Sequence, residues 1–347
     1  MLPPLASWLV TGSGENKMVH SFGLPAPSAW IVTDGKRGDE VQCQGIAEAL
    51  GLSPKRCLVA PRPPFSWLAP RGPIDPRDAP DQPNSPIAPP FPDILIASGR
   101  RTVPYMRHVK RASGAKTFTV YLKDPRVGSG AADVIWVPEH DSLRGENVCV
   151  TAIAPHPIHG DVLEAMRDAP DARIIALHGP RAGLILGGNS RHHRFERKDI
   201  EALCDMVRAV LESGWSLMVT PSRRTPPALV AALEAMTAPV DPHLFFLWNG
   251  EGANPYRQIL AHAESLIVTG DSTNMVGEAL GVGCPVHVYE PSGGHKKITA
   301  FLNGLGRRGV IRPWAGRLED WEFEAIDPTA EIAGFILERY AAFRSTI

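Results

Sequence analysis

Short apolar runs alternate along the chain with stretches whose apolar positions recur every three or four residues. Leu266 to Val268 form one such run, broken by Gly270, Asp271, Ser272 and Thr273. A helical stripe of Met275, Val276, Ala279 and Leu280 follows, ended by Gly281 and Gly283 before Pro285 opens another run. A continuous apolar run bounded by turn residues is what a parallel strand buried on both faces requires, and a Ser or Thr at the break caps the helix behind it. The same order appears at Trp30–Val32, with a loop over 34–38 and a helix over 39–50 closed by Gly51. It continues through the strands in DILIASGRR, KTFTVYL, ADVIWVPEHD and NVCVT, with a helix in TVPYMRHVKRAS and another over 158–167. Alternation of this kind predicts an α/β fold with parallel sheets covered by helices.

The pattern breaks at APDARIIALHGPRAG and then begins again. AGLILGGNS, WSLMVTPSRRTP and HLFFLWNGEGANP read as strands with polar loops, separated by helices over 196–211, 227–236 and 256–263. Two Rossmann-like units are therefore expected, over 28–168 and 169–327. A last helix over 328–347, with Ile332, Phe335, Ile336 and Tyr340 on one side, either crosses back to the first unit or packs locally. Residues 1–27 read as a poorly ordered leader, with Met18 an alternative start. Twelve prolines between Pro61 and Pro92 exclude a helix or a central strand, so an extended loop is expected there, packed over the surface by Phe65 and Trp67.

Ligands of such sheets bind beyond the carboxyl ends of the strands, where helix N-termini offer free N–H groups to anions. The residues at those ends are polar in both units. In the first they are Asp34 to Glu40, Ser98 to Arg101, Asp124 to Arg126, His140 and Asp141. In the second they are Gly187, Gly188, Asn189 and Ser190; Ser222, Arg223 and Arg224; Asn249 and Asn254; and Asp271, Ser272, Thr273 and Asn274. Glycines there admit a diphosphate to the backbone, arginines grip phosphate bidentately, and Glu278, a turn further in, suits a ribose hydroxyl pair. Four successive loops of this composition point to a nucleoside-diphosphate site. GxGxxG and GK[ST] are both absent, so no bound dinucleotide cofactor is expected.

Charge and cysteine usage narrow the classes. A net charge of −1 argues against nucleic acid as a partner. Five dispersed cysteines without a CxxC read as reduced core thiols of a cytoplasmic protein. His156, His159 and Asp161, and separately His192 and His193, have metal-ligand spacing but lack a third convergent group, so no metal site is expected. The basic run Lys296, Lys297, Arg307, Arg308, Arg312 and Arg317 reads as a solvated face.

DGKRGDEVQCQGIAEAL, ASGRRTVPY, KDPR, VPEHD, LILGGNS, TPSRRTP and TGDSTNMVGEALGVGCPV, in that order, resemble the mitochondrial fission "elongated mitochondria" family of plants and bacteria. The resemblance implies a GT-B-like architecture, two Rossmann-like domains facing a central cleft, and a glycosyltransferase that moves a sugar from a nucleotide-diphosphate donor without a metal. It implies that the second domain binds the donor, with Glu278 at the ribose, and that the first binds the acceptor, whose chemistry extends to lipid-linked molecules and so to peripheral membrane contact. The catalytic base should then come from the first domain, and by position Glu40, Asp39 and His140 are the candidates. Some bacterial members carry the label of a nucleoside-diphosphate-sugar epimerase, which the missing dinucleotide fingerprint disfavours. A sugar-nucleotide-binding or membrane-surface scaffold without turnover is the alternative reading.

Overall fold

The structure, a computed structural model, describes residues 27–346. The leader and the alternative start at Met18 lie outside the described residues, except for Pro27. The first half holds β1 (Ala29–Thr33), α1 (Arg37–Ala49), β2 (Lys55–Leu58), the one-turn α2 (Phe65–Leu68), β3 (Ile94–Ser98), α3 (Val103–Ala112), β4 (Phe118–Leu122), β5 (Val134–Pro138) and β6 (Val148–Thr151). Its sheet runs β2-β1-β3-β4-β5-β6, every pair parallel. The central strands are buried along their whole length, which is why they read as unbroken apolar runs.

The second half holds α4 (Gly160–Asp168), α5 (Ala172–Ile175), β7 (Arg181–Leu186), α6 (Arg197–Glu212), β8 (Ser216–Pro221), α7 (Pro227–Thr237) and β9 (Phe245–Leu247). There follow α8 (Tyr256–His262), β10 (Ser265–Thr269), α9 (Thr273–Leu280), β11 (Val286–Tyr289), α10 (Lys296–Arg307), β12 (Arg312–Pro313) and α11 (Thr329–Arg344). This sheet, also all parallel, runs β12-β11-β10-β7-β8-β9. It is the dinucleotide-fold order, with the reversal between β7 and β10; in the first sheet the reversal lies between β1 and β3. The architecture is thus α/β with two Rossmann-like sheets, of GT-B type.

Packing moves one boundary. The pattern places the helix over 158–167 in the first unit, but Ile158 and Leu163 are buried in one cluster with Ile185, Leu260 and Leu266 of the second half. The chain therefore crosses just after β6. It crosses back at its end: Ile332, Ala333, Ile336 and Tyr340 of α11 are buried with Ile46, Phe118 and Trp136 of the first half. Trp67 also differs from expectation. It does not cover the domain surface but projects from α2 with 72% of its area exposed.

Candidate functional site

The carboxyl ends of both sheets open on one cleft of about 680 Å³, walled by residues of both halves. Its floor is the meeting of two helix N-termini. Asn274, in the first turn of α9, accepts a hydrogen bond from Gln42 Nε2 (2.9 Å) and donates to the Gly38 carbonyl (3.3 Å), so it joins α9 to the first turns of α1. Gly38 leaves room for this contact, since a Cβ there would stand 2.8 Å from Asn274 Nδ2 and make that amide shift. Neither helix has a side-chain cap: Lys36 precedes α1 and Ser272 precedes α9 without one. The first amides of both helices are left to the cleft, and the positive ends of two macrodipoles converge.

Side chains add to that field. Lys36, Arg100, Lys123, Arg126, Arg191 and Lys297 line the cleft against only Asp39, Asp124 and Asp141. A chain of net charge −1 thus concentrates cations here, the condition for holding a multiply charged anion. Lys123 and Arg126 flank the β4 loop in left-handed backbone, at φ of 92° and 60°, a cost the loop bears at this rim. The Asp39 carboxylate is nearly buried, pairs with Lys123, and turns its Oδ2 toward Gly99. The Asp34 side chain, 1% exposed, pairs with Lys36 at 2.9 Å through Oδ2 and leaves Oδ1 buried, without a partner among the described residues, beside the same glycine. Gly99 has φ of +96°, and a Cβ there would lie 3.2 Å and 3.3 Å from the two carboxylates. His140 stands half-buried against Phe301, and burial holds its imidazole below the ordinary histidine range.

The proposed base candidates separate on this geometry. Asp39 and His140 line the cleft; Glu40 does not, because one residue along a helix turns the side chain by about 100°. Its carboxylate is held by Arg56 on β2.

The glycine loop after β7 also differs from expectation. The Gly187 amide donates to Thr269 Oγ1 (2.7 Å), Gly188 to Asp271 Oδ2 (3.0 Å), Asn189 to the Arg224 carbonyl (3.0 Å) and Ser190 to the His193 carbonyl (2.9 Å). All four amides are spent inside the protein and none is free for a phosphate. The glycines serve a close approach of another kind. A Cβ on Gly187 would fall 2.1 Å from Asp271 Oδ1, and one on Gly188 2.1 Å from the Arg224 backbone. Asp271 does not face the cleft either: its side chain has no exposed surface and takes the Gly188 amide, the Thr269 hydroxyl (2.8 Å) and the Arg224 guanidinium (3.1 Å). Ser222 Oγ bonds the Gly187 carbonyl at 2.8 Å, completing a lock of the loops after β7, β8 and β10. What this lock leaves for a ligand is the α9 N-terminus, with Thr273 and Asn274 in the cleft wall and Ser272 at its cap.

The remaining candidates fall outside that wall. Arg223 is exposed and without a partner among the described residues. Asn249 bonds within its own turn to Glu251, and Asn254 accepts the Tyr256 amide at the start of α8. Glu278 lies beneath, buried between α8 and α9, with the Tyr256 hydroxyl donating to it. Burial raises its carboxyl to about 6, and the Tyr256 hydrogen bond, Arg257 and Arg37 pull the other way. No group of three or more metal-ligating side chains occurs among the described residues. Burial raises the Cys43 thiol, so it carries no thiolate.

Three contributors were not anticipated: Lys297, Arg308 and Phe301. The basic run read as a solvated face includes α10, whose Phe301, Leu302 and Leu305 are buried. Lys297 crosses to Asp141 and Arg308 to Glu139 (2.6 and 2.8 Å), so this helix ties the two halves at one end of the cleft. The i, i+3, i+4, i+7 spacing of Ile298, Phe301, Leu302 and Leu305 carries the signal for it.

The family model described as mitochondrial fission ELM1 matches residues 37–340, a span that includes the cleft and both sheets. The chain belongs to this family. It is 28% identical to the mitochondrial fission protein ELM1 of Arabidopsis thaliana over 72% of its own length; the match spans 64% of that relative, a little under two thirds. It is 24% identical to an uncharacterized protein of Rickettsia prowazekii, over 88% of this chain and 97% of that one. Among solved structures, UDP-GlcNAc 2-epimerase of Neisseria meningitidis bound to UDP-GlcNAc shares the fold with a TM-score of 0.53 at 12% identity, over 91% of this chain and all of that one. The S. aureus MnaA–UDP structure gives 0.51 at 11% identity, over 92% and 98%.

Proposed function

We propose that the cleft binds a nucleoside-diphosphate sugar and transfers its glycosyl group to a hydroxyl acceptor held on the first half. The observation that carries this reading is the convergence of the α1 and α9 N-termini at Asn274, inside a ring of six cations. A diphosphate spans such a site, and its developing charge is neutralised there as the bond to the sugar breaks. The nucleoside extends along α9 toward Asn254 and Tyr256, with the buried Glu278 beneath the ribose. Asp39 takes the proton from the acceptor hydroxyl as the new glycosidic bond forms, and Lys123 holds its carboxylate in place. His140 is the second candidate for that proton. The fold neighbours solved with UDP and with UDP-GlcNAc make uridine the first base to try.

The test is a thermal-shift panel of UDP, GDP, ADP and CMP with the corresponding sugars. A ligand at about a hundred times its Kd stabilises by about 2.7 kcal/mol, a readily measured shift. No response to any member sinks the nucleotide reading. Among responders, mass spectrometry then separates transfer from the other two outcomes: epimerisation of the bound sugar, and a scaffold that binds without turnover.

A further inference from the structure

The segment from Arg62 to Asp75 is a rigid turn that presents apolar side chains to solvent. Arg62 donates to Asp75 through its amide (3.1 Å), Nε (2.9 Å) and Nη2 (2.8 Å), and the Asp75 side chain is only 1% exposed. Gly72 is folded so tightly on the turn that a Cβ would lie 2.5 Å from Leu68 Cβ. Ser66 and Ala69 are buried, yet Trp67 and Leu68 between them are 72% and 51% exposed. Leu58, 47% exposed, ends β2 at the same rim of the sheet.

Cations lie in and next to the turn. Arg71 and Arg101 are exposed and their guanidiniums have no acceptor among the described residues. Arg100 donates to the Ser66 carbonyl (3.1 Å) and lines the cleft, so the turn sits beside the cleft mouth. Asp75, the carboxylate within the turn, is spent on Arg62 and Arg77.

We propose that this turn is a membrane-contact element, inserting Trp67 and Leu68 into the headgroup region of an anionic phospholipid surface while Arg71 and Arg101 meet lipid phosphates. Charge favours a lipid over a protein partner, since Arg71 and Arg101 are exposed beside the apolar pair with no acceptor among the described residues. An interfacial Trp beside unpaired arginines is the composition that binds anionic bilayers. The proposal stands whether or not the cleft turns over a sugar nucleotide.

The test is flotation of the full chain with phosphatidylcholine vesicles containing about 30 mol% phosphatidylglycerol, against pure phosphatidylcholine. The protein is expected to float with the anionic vesicles and to be released by high salt. The double variant Trp67→Ser/Leu68→Ser should lose binding about tenfold or more, and Arg71→Glu/Arg101→Glu similarly. All four positions are exposed, so an unchanged melting temperature verifies that the variants fold. Failure of the wild type to float overturns the proposal, as does a Trp67→Ser/Leu68→Ser variant that floats equally well. A wild-type dimer that this variant dissociates, without vesicle binding, assigns the surface to a second copy and overturns it too.

Discussion

Asp271 accepts the backbone N–H of Gly188 at 3.0 Å, and that bond fixes the two loops at the strand-order reversal of the second sheet. The same carboxylate holds Arg224, whose Nη1 reaches the carbonyls of Gly188 and Asn189 at 2.9 and 3.1 Å. Asp271→Asn turns an amide NH₂ or a weaker acceptor toward these donors and leaves Arg224 without its counter-charge. A fully buried pair broken this way costs about 3–5 kcal/mol. Arg224 keeps 42% of its side chain in water, so a loss of about 2 kcal/mol is expected. Urea unfolding reads it directly, and a wild-type midpoint would show that the lock contributes nothing.

Glu278 should make stability fall as pH rises. Its carboxyl sits at about 6 in the folded chain against an ordinary 4.5, because burial penalises the charged form. Its contribution is therefore fully present below pH 4.5 and lost as pH rises through about 6. Glu278→Gln removes the titration. The variant is expected to exceed the wild type by about 2 kcal/mol more at pH 8 than at pH 4.5, while losing nucleotide binding if the carboxylate holds the ribose. Paired urea titrations at the two pH values check the sign, and an equal difference at both would refute the burial argument.

Much of the fold was legible because a parallel strand buried on both faces has no choice but an apolar run, as in β3, β4 and β10. The polar loops at the carboxyl ends of the strands were legible by their place after those runs. Side-chain direction was not. Asp271 and Thr273 stand two residues apart in one polar loop, yet one carboxylate points into the protein and the other residue lines the cleft. Gly187 and Gly188 signal close approach without naming what approaches; the partners proved to be Asp271 and the loop after β8, 84 and 36 positions away in sequence for the pairs Gly187–Asp271 and Gly188–Arg224. The bridges of α10 to Asp141 and Glu139 likewise depend on how the two halves meet, which no local period encodes.

Asp39 and Glu40 offer a neighbouring pair of carboxylates with opposite expectations. Asp39 lines the cleft with Lys123, while Glu40 is engaged by Arg56 outside it. Asp39→Asn is expected to lower turnover of a donor found in the thermal-shift panel by about 10²–10⁴-fold, the usual worth of a general base. Glu40→Gln should leave that turnover within about twofold of wild type, since Arg56 is 52% exposed and returns to water at little cost. Equal losses in both would return Glu40 to the site.

The last helix makes the first half depend on the end of the chain. Ile332, Ala333 and Ile336 of α11 have no exposed area, and Tyr340 and Phe343 set their rings 5.4 and 5.3 Å from Phe118 on β4. The core beneath them, with Ile46, Ile96 and Trp136, is shared between the sheet, α1 and α11. Ile336→Ala removes buried methylenes from a site walled by a sheet and a helix, where collapse around the cavity is restricted. A loss of about 3 kcal/mol is expected, within the ~2–5 kcal/mol range of such truncations. Because α11 hangs from the second half by the 308–328 segment, the loss should appear in the unfolding of the first half, read by amide exchange of β1, β3 and β4. Exchange unchanged in these strands would mean that α11 rests on the first half without stabilising it.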